Sequence, residues 1–404
     1  MRKHDSNSQP LRIGMVCYPS IGGSGIVATE LGKQLVCRGH DVHFFSYDVP
    51  YRLTDKDGED LSVPCSEGKR GRLLFHHIDI PDFPLLRFPP YTIALASELC
   101  ALAAAERLDL VHVHYAIPHS LSAVLAKLML REAGRSNLPV ITTLHGTDTA
   151  LIGLDRRFKP TVEFSLNACD AVTAVSHALR QQTLRDFSLR LPIEVIYNFV
   201  DPEQFMPADQ PSAPPYVIVH VSNFREIKRA DEAVLIFSYM KKMLDCRLVF
   251  VGSGPTEALA REQAERLGVA ARVEFVGRVL DVGKVLAGSH LLLSTSEMES
   301  FGMSIAEAMA CGVPVVAYRV GGIPEVVGDC PAVELVELGD TCGMAAAAGR
   351  LLERSRQEPE LGLAARRRIL DHFTPEHIVP HYEALYRRLL STSEREPVAR
   401  DRRS

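Results

Sequence analysis

The sequence predicts an α/β protein made of two doubly wound, parallel-sheet domains in tandem. Three observations predict it. Short, near-continuous apolar runs alternate with helical-period segments along the chain, as strands covered on both faces of a parallel sheet do. A chain of 404 residues exceeds what one ordinary core organises, so two cores are expected. The alternation breaks once, at PEQFMPADQPSAPP (202–215), which is proline-rich and without periodicity, and then restarts.

In order, residues 13–17 read as the first strand and 26–36 as a helix with apolar positions at Val27, Leu31 and Leu35; Gly39 can end it. Strands follow at 42–46, 110–114, 140–144, 171–174 and 194–197. The most apolar helix, 92–106, is interrupted by Glu98 and too short to cross a bilayer. After the proline-rich stretch come a strand at 216–221, a helix near 231–243, a strand at 247–251, a helix near 256–268, strands at 273–275 and 291–294, a helix from about 304, and a strand at 313–317. The expected organisation is a disordered tail (1–11), a first Rossmann-like domain (12–201), a linker (202–215) and a second Rossmann-like domain (216–375). A C-terminal helix (376–392) able to pack back on the first domain and a disordered charged tail (393–404) complete it. Open α/β sheets bind ligands beyond the carboxyl ends of their strands, so a cleft between two such sheets is the expected site.

Composition narrows the function. A mixed charge with a formal net of −5 lacks the basic excess of a nucleic-acid binder. A bound anion must therefore be held locally. Nine cysteines, at 17, 37, 65, 100, 169, 246, 311, 330 and 342, form no CxxC pair. They read as reduced thiols of a cytoplasmic protein, with neither a disulfide frame nor a zinc site. The opening MRKHDSNSQP has no apolar signal-peptide core.

The richest stretch is STSEMESFGMSIAEAMACGVPVV (294–316). Glu299 follows a strand, Ser300, Phe301 and Gly302 form a turn, and a helix carries Glu307. The backbone amides of Phe301, Gly302 and Met303 then lie at a helix N-terminus, where free N–H groups and the positive dipole end favour an anion. Glu307 can accept hydrogen bonds from vicinal hydroxyls. The plain alternative is two surface acids near a helix start. Flanking apolar strands and the turn at Gly312-Val313-Pro314 leave little surface for that.

This stretch resembles the E-x7-E signature of the retaining glycosyltransferases of family 4, which have the GT-B fold, two Rossmann-like domains facing a central cleft. GGIPEVV (321–327) is similar to the same family. The resemblance implies that Glu307 binds the ribose of a nucleotide sugar. It also implies that Glu299 lies by the donor sugar and that the turn amides face sugar and phosphates.

HVSNFREIKR (220–229) follows a strand and precedes a helix. Arg225, Lys228 and Arg229 would cluster there as a cationic clamp for a diphosphate, Arg bidentately and Lys as a point charge. The alternative is a solvated basic helix start, which the dipole disfavours. Asn223 occupies the place where the family usually has its Arg, so Arg225 and Lys228 stand three apart.

YPSIGGSG (18–25) opens the first helix. Gly23-x-Gly25-x-x-Ala28 with Asp48 fits a dinucleotide fingerprint, so an NAD-type oxidoreductase is the competing class. The residues between strand and glycines loosen the loop, which suits a small anionic acceptor held near Gly22, Gly23 and Ser24; a packing turn is the bland alternative. Tyr115, Thr143, His145, Thr147 and Asp148 end two further strands and would collect at the same edge, His145 as a site residue. His112 and His114 alternate with valines and read as structural, and His119 fits either role.

YPSIGGSGIVATELGKQLVCRGH, FPPYTIALAS, HYAIPHSL, TTLHGTD, YNFVD and HVSNFREIKR together resemble the family 4 subgroup that opens bacillithiol biosynthesis, over about residues 12–390. The resemblance implies transfer of N-acetylglucosamine from UDP-GlcNAc to the hydroxyl of L-malate with retention. Ser24, Tyr115 and Thr143 would stand at the malate carboxylates, with Arg52 as a further candidate charge. His145, Arg225, Lys228 and Glu299 would form the catalytic set, the cations and helix amides stabilising the leaving group without a metal or cofactor. A cytoplasmic homodimer is implied. A transferase with a different acceptor, and a non-catalytic sugar-nucleotide sensor, fit the same motifs.

Overall fold

The computed structural model describes residues 9–19, 22–50, 53, 71–80, 90–135, 137–208 and 214–393. Arg52 and most of the two expected tails lie outside them. The chain forms two compact units, Met1–Ile196 with Ile378–Ser404, and Tyr197–His377.

The first unit carries seven parallel strands: β1 (Arg12–Val16), β2 (Asp41–Ser46), β3 (Leu73–His77), β4 (Leu110–His114), β5 (Val140–Leu144), β6 (Ala171–Ala174) and β7 (Ile193–Val195). Their spatial order is β3-β2-β1-β4-β5-β6-β7. Its helices are α1 (Gly23–Cys37), α2 (Tyr91–Glu106), α3 (Leu121–Glu132), α4 (Lys159–Ala168) and α5 (His177–Asp186). β1, β4, β5 and β6 are almost wholly buried, as strands covered on both faces must be. The order reverses between β1 and β4, which places the ligand-binding crevice of this sheet at their carboxyl ends.

The second unit repeats the plan with β8 (Tyr216–Val221), β9 (Cys246–Val251), β10 (Val273–Gly277), β11 (Leu291–Ser294), β12 (Val315–Tyr318) and β13 (Val333–Val336). The order is β10-β9-β8-β11-β12-β13, all parallel. Its helices are α6 (Ala230–Met240), α7 (Glu257–Arg266), α8 (Val282–Ala287), α9 (Met303–Ala310), α10 (Ile323–Val327), α11 (Thr341–Gln357) and α12 (Glu360–His372). The last helix, α13 (Pro375–Ser393), belongs to the first unit from Ile378 onward. Here the reversal lies between β8 and β11. Aromatic packing of Phe224, Phe250 and Phe275, with Phe250 and Phe275 stacked at 4.8 Å, fills the core on one side of the sheet.

Two strands escaped the sequence reading. β3 and β13 are sheet edges, only partly buried, so neither has the continuous apolar run that marks the inner strands. Helix α1 starts at Gly23, three residues before the expected start, so Ser24 lies in its first turn. The units divide after Ile196, ahead of the proline-rich stretch. Residues 202–205 pack within the second unit, where Arg366 binds the carbonyls of Pro202 (3.2 Å) and Phe205 (2.7 Å). One cysteine also departs from expectation: Cys37 is disulfide-bonded to a partner outside the described residues. Cys17, Cys100, Cys169, Cys246, Cys311, Cys330 and Cys342 are free thiols.

Candidate active site

In the second unit the polar residues gather at the crevice that the strand order predicts. β8 ends in the loop 222–229 and β11 in the segment 295–302. Thr295 ties the two together: its hydroxyl donates to the carbonyls of Lys228 (2.8 Å) and Arg229 (3.0 Å). The Glu297 amide donates to the Ile227 carbonyl at 2.9 Å. The Lys228 ammonium is thereby brought onto the Glu299 carboxylate in a short ion pair, both side chains being largely buried. Ser296 Oγ donates to the same Oε1 at 2.9 Å. Sequence reading missed Thr295 and Ser296; their closeness to Glu299 in the motif was the available signal.

The loop holds an unusual backbone. Phe224 (φ 44°) and Arg229 (φ 48°) are both left-handed without being glycine, a conformation that persists only where the surroundings enforce it. Phe224 is fully buried, and its carbonyl accepts from Thr256 Oγ1 at 2.6 Å. Of the three expected cations, Arg229 pairs with Glu232 on α6 at 2.5 Å. Arg225 precedes the turn that carries Lys228. The Asn223 side-chain oxygen is buried, with no hydrogen-bond partner among the described residues.

Gly302 caps α9 with φ 93°, a conformation that glycine adopts at little cost. In the first turn of α9 the amides of Ile305 and Ala306 donate to the Gly302 carbonyl, each at 3.0 Å, whereas those of Met303 and Ser304 have no carbonyl one turn back to bind. Ser300 and Met303 are half-buried, and Glu307 is nearly buried on α9. The Phe301 ring is core, packed on Phe373 (5.6 Å) and Tyr197 (6.3 Å), so only its backbone is available to a ligand. Gly321 completes the support: a Cβ there would lie 1.9 Å from the Glu299 carbonyl oxygen, which accepts from the Gly322 amide at 2.9 Å.

In the first unit, Gly22 precedes α1, and Gly23 and Ser24 form its first turn, with Ser24 largely buried. β4 and β5 end side by side, and Asp148 knots their ends together. Its Oδ2 accepts from the Ala116 amide (2.9 Å), and its Oδ1 from the amides of Gly146 (2.8 Å) and His145 (3.2 Å). The carboxyl is fully buried, and desolvation holds its pKa above the ordinary value despite these three donors. Asp148 thus stands at the expected edge but spends its oxygens on the backbone. Between the tied ends, Tyr115 adopts φ 101°. Its ring stacks toward His145 (6.1 Å) and meets Tyr18 edge-on (5.2 Å). Tyr18, half-buried just past β1, also packs on His119 at 4.4 Å. Sequence reading did not single out Tyr18; its place directly after β1 was the only signal.

Thr143 stands near the end of β5 as expected, with its hydroxyl engaged inside the fold. It is fully buried, and its hydroxyl is shared between His112 Nε2 and Thr173 Oγ1, each at 2.7 Å. The other nitrogen of His112 meets Tyr386 Oη of α13 at 2.7 Å. Desolvation lowers His112 to about 3 and His119 to about 4. His145 is likewise held at about 3, although part of its surface is exposed. All three rings are neutral near pH 7.

Among the described residues, no group of three or more His, Cys, Asp or Glu side chains could hold a metal ion. No described helix is long and apolar enough to cross a membrane.

The comparisons with known proteins agree with this architecture. Residues 21–204 match Glycosyltransferase Family 4, and residues 215–354 match Glycosyl transferases group 1. The chain is 39% identical over 384 residues to N-acetyl-alpha-D-glucosaminyl L-malate synthase of Bacillus anthracis, covering 93% of this chain and 96% of that protein. It is 27% identical over 416 residues to the alpha-maltose-1-phosphate synthase of Mycolicibacterium smegmatis, covering 94% of this chain and 100% of that protein. The crystal structure of Anabaena Alr3699/HepE in complex with UDP and glucose shares the fold, with a TM-score of 0.74 at 19% identity over 93% of this chain and 99% of that one. Sucrose-phosphate synthase from Thermosynechococcus elongatus does so with a TM-score of 0.74 at 22% identity over 95% of this chain and 100% of that one. Two parallel-sheet Rossmann-like units, an E-x7-E segment at the second crevice and a relative this similar over nearly its whole length make the chain a glycosyltransferase of family 4.

Proposed function

We propose that the protein transfers N-acetylglucosamine from UDP-GlcNAc to the hydroxyl of L-malate with retention at the anomeric carbon, as the first step of bacillithiol biosynthesis. The observation that carries this is the 39% identity across 93% of the chain to a synthase named for that product. Family membership displaces the oxidoreductase alternative. The second unit takes the donor: Glu307 binds the ribose, the α9 amides and Lys228 the pyrophosphate, and Glu299 the sugar. Arg225 and Asn223 complete the donor contacts. The first unit takes the acceptor, through Gly22, Gly23, Ser24 and Tyr115. Thr143 acts indirectly, as part of the buried chain that fixes β4 against β5.

In the proposed reaction the C1–O bond to the β-phosphate breaks. The malate hydroxyl oxygen bonds to C1 on the same face, and its proton passes to the departing phosphate. Lys228 and the helix dipole offset the charge that develops on that phosphate, with no metal required. His145, neutral in the fold, orients substrate oxygens. The active species is a homodimer.

UDP release should require both UDP-GlcNAc and L-malate, and the product should show the small anomeric proton coupling of an α-glycoside. Release with another acceptor, such as an inositol, in preference to malate would overturn the acceptor. A β product would overturn retention. Ser24→Ala should raise the malate KM well above its effect on the donor KM; the reverse pattern would exchange the roles of the two units. A monomer in sedimentation at assay concentration would remove the dimer.

A further inference from the structure

We infer that His114 is a positioning residue that fixes the tautomer of His145, so that His145 offers an Nδ1–H donor, and not a base, to a substrate oxygen. The substrate part rests on the proposal above that the carboxyl edge of the first sheet takes the acceptor. The tautomer rests on geometry alone.

His114 Nδ1 and His145 Nε2 lie 2.9 Å apart, with the rings stacked at 5.1 Å and 25°. One nitrogen of the pair must carry the shared proton. Were His145 the donor, the proton of a neutral His114 would sit on Nε2. That Nε2 is buried and finds no partner among the described residues. A buried N–H without an acceptor is rarer and costlier than an unmet lone pair. The opposite assignment leaves only a lone pair unmet. His114 therefore donates from Nδ1, Nε2 of His145 accepts, and the one proton of a neutral His145 sits on Nδ1.

A cationic ring would escape this logic, but the surroundings oppose one. His114 is fully buried, its ring 4.5 Å from the equally buried His112. His119 must donate its own Nδ1–H to the His114 carbonyl at 2.7 Å, since a carbonyl only accepts. Its Nε2 then accepts from Tyr91 Oη at 3.3 Å. Asp148, the carboxylate at this edge, is occupied by backbone amides. Desolvation and the neighbouring imidazoles hold His114 far below its ordinary range.

The consequence for the chemistry is specific. A histidine with its one proton on Nδ1 and its lone pair occupied cannot remove the acceptor proton. It can steer or polarise an oxygen, which leaves deprotonation to the departing phosphate.

The test is the 15N spectrum of the full-length protein labelled only at histidine, where protonated and bare ring nitrogens differ widely in shift. His145 is assigned by its loss in His145→Gln. We expect Nδ1–H and a bare Nε2 from about pH 6 to pH 8, where an ordinary histidine would titrate. A bare Nδ1 in the wild-type protein overturns the inference without any variant. His114→Asn keeps an N–H at the place of Nδ1 and should retain the pattern, with turnover within about threefold of wild type, whereas His114→Leu should mix the tautomers and lower turnover roughly ten- to a hundredfold. A folded His114→Leu with the wild-type His145 pattern also overturns it. The spectrum is read without substrate. Failure of malate as acceptor would therefore refute the proposed reaction and leave the tautomer assignment standing.

Discussion

Lys228 rests on Glu299, so the cation that the proposed donor phosphates need is already neutralised by a neighbouring carboxylate. Ser296 shares that carboxylate, and Thr295 fixes the backbone under the lysine. Donor binding exchanges one anion for another at the ammonium, which spares most of its desolvation cost. Lys228→Ala should lower kcat by about a hundred- to a thousandfold, the effect of removing one donor from a charge-stabilising site. The measurement is UDP release at saturating substrates, and unchanged turnover would remove Lys228 from the reaction. Gly321→Ala tests the support behind Glu299. Its Cβ would press on the Glu299 carbonyl at 1.9 Å, and its φ of 52° suits few side chains. The strain is on the order of 1–3 kcal/mol. Turnover should fall together with the melting temperature; a variant with wild-type values for both would show that the 299–302 turn can shift freely.

At the scale of elements, α9 carries the motif that sequence made legible, but it is held in place by a residue that sequence did not mark. Arg366 of α12 donates to the carbonyl of Ala310, the last residue of α9, at 2.6 Å, and to the carbonyls of Phe205 and Pro202. A guanidinium at a helix C-terminus also complements the dipole whose positive end faces the proposed phosphate site. Arg366→Ala leaves these carbonyls unmet and should lower stability by about 2–3 kcal/mol, as loss of charged hydrogen bonds does. Urea unfolding checks it, and an unchanged midpoint would mean that other donors replace the arginine. The contrast explains what could be read in advance. Glu299, Gly302 and Glu307 lie within one strand–turn–helix, so their spacing, together with the flanking apolar strands and the turn at Gly312-Val313-Pro314, places them at a crevice. Arg366, Thr295 and the tying role of Asp148 depend on main-chain atoms, and a backbone carbonyl or amide leaves no trace in residue identity. The buried engagement of the Thr143 hydroxyl was not legible for a related reason. A threonine at a strand end reads the same whether its hydroxyl faces solvent or, as here, a buried histidine. The edge strands β3 and β13 were missed although the edges β7 and β10 were read: half-burial weakens the apolar continuity that identified β5 and β11 without erasing it.

Across the whole molecule, the buried histidines make stability sensitive to mild acid. His43, His112, His114 and His119 of the first unit and His220 of the second are all buried, and His145 of the first unit is half-buried. Desolvation lowers His112 and His145 to about 3 and His43, His119 and His220 to about 4, and it holds His114 well below its ordinary range. In the unfolded chain each titrates near its ordinary value of 6.5. Between about pH 6.5 and 4 the unfolded state therefore binds more protons than the folded one, so stability falls as pH falls through that window. By pH 5 each of these rings contributes on the order of 2 kcal/mol of loss, so together they reach the stability of an ordinary domain. Asp148 opposes the trend, because its raised pKa favours the fold as acid protonates it; one carboxyl does not offset six imidazoles. Carboxylates held low by their partners, such as Asp41 beside Arg72 and Glu383 beside His40, act only in stronger acid. The urea midpoint should therefore drop steeply between about pH 7 and 5, ahead of carboxylate titration. A flat midpoint over that range would show that these rings take up protons in the folded state. Because five of these six histidines lie in the first unit, calorimetry at about pH 5 should resolve that unit melting before the second, the order that unequal linkage in a two-domain chain favours.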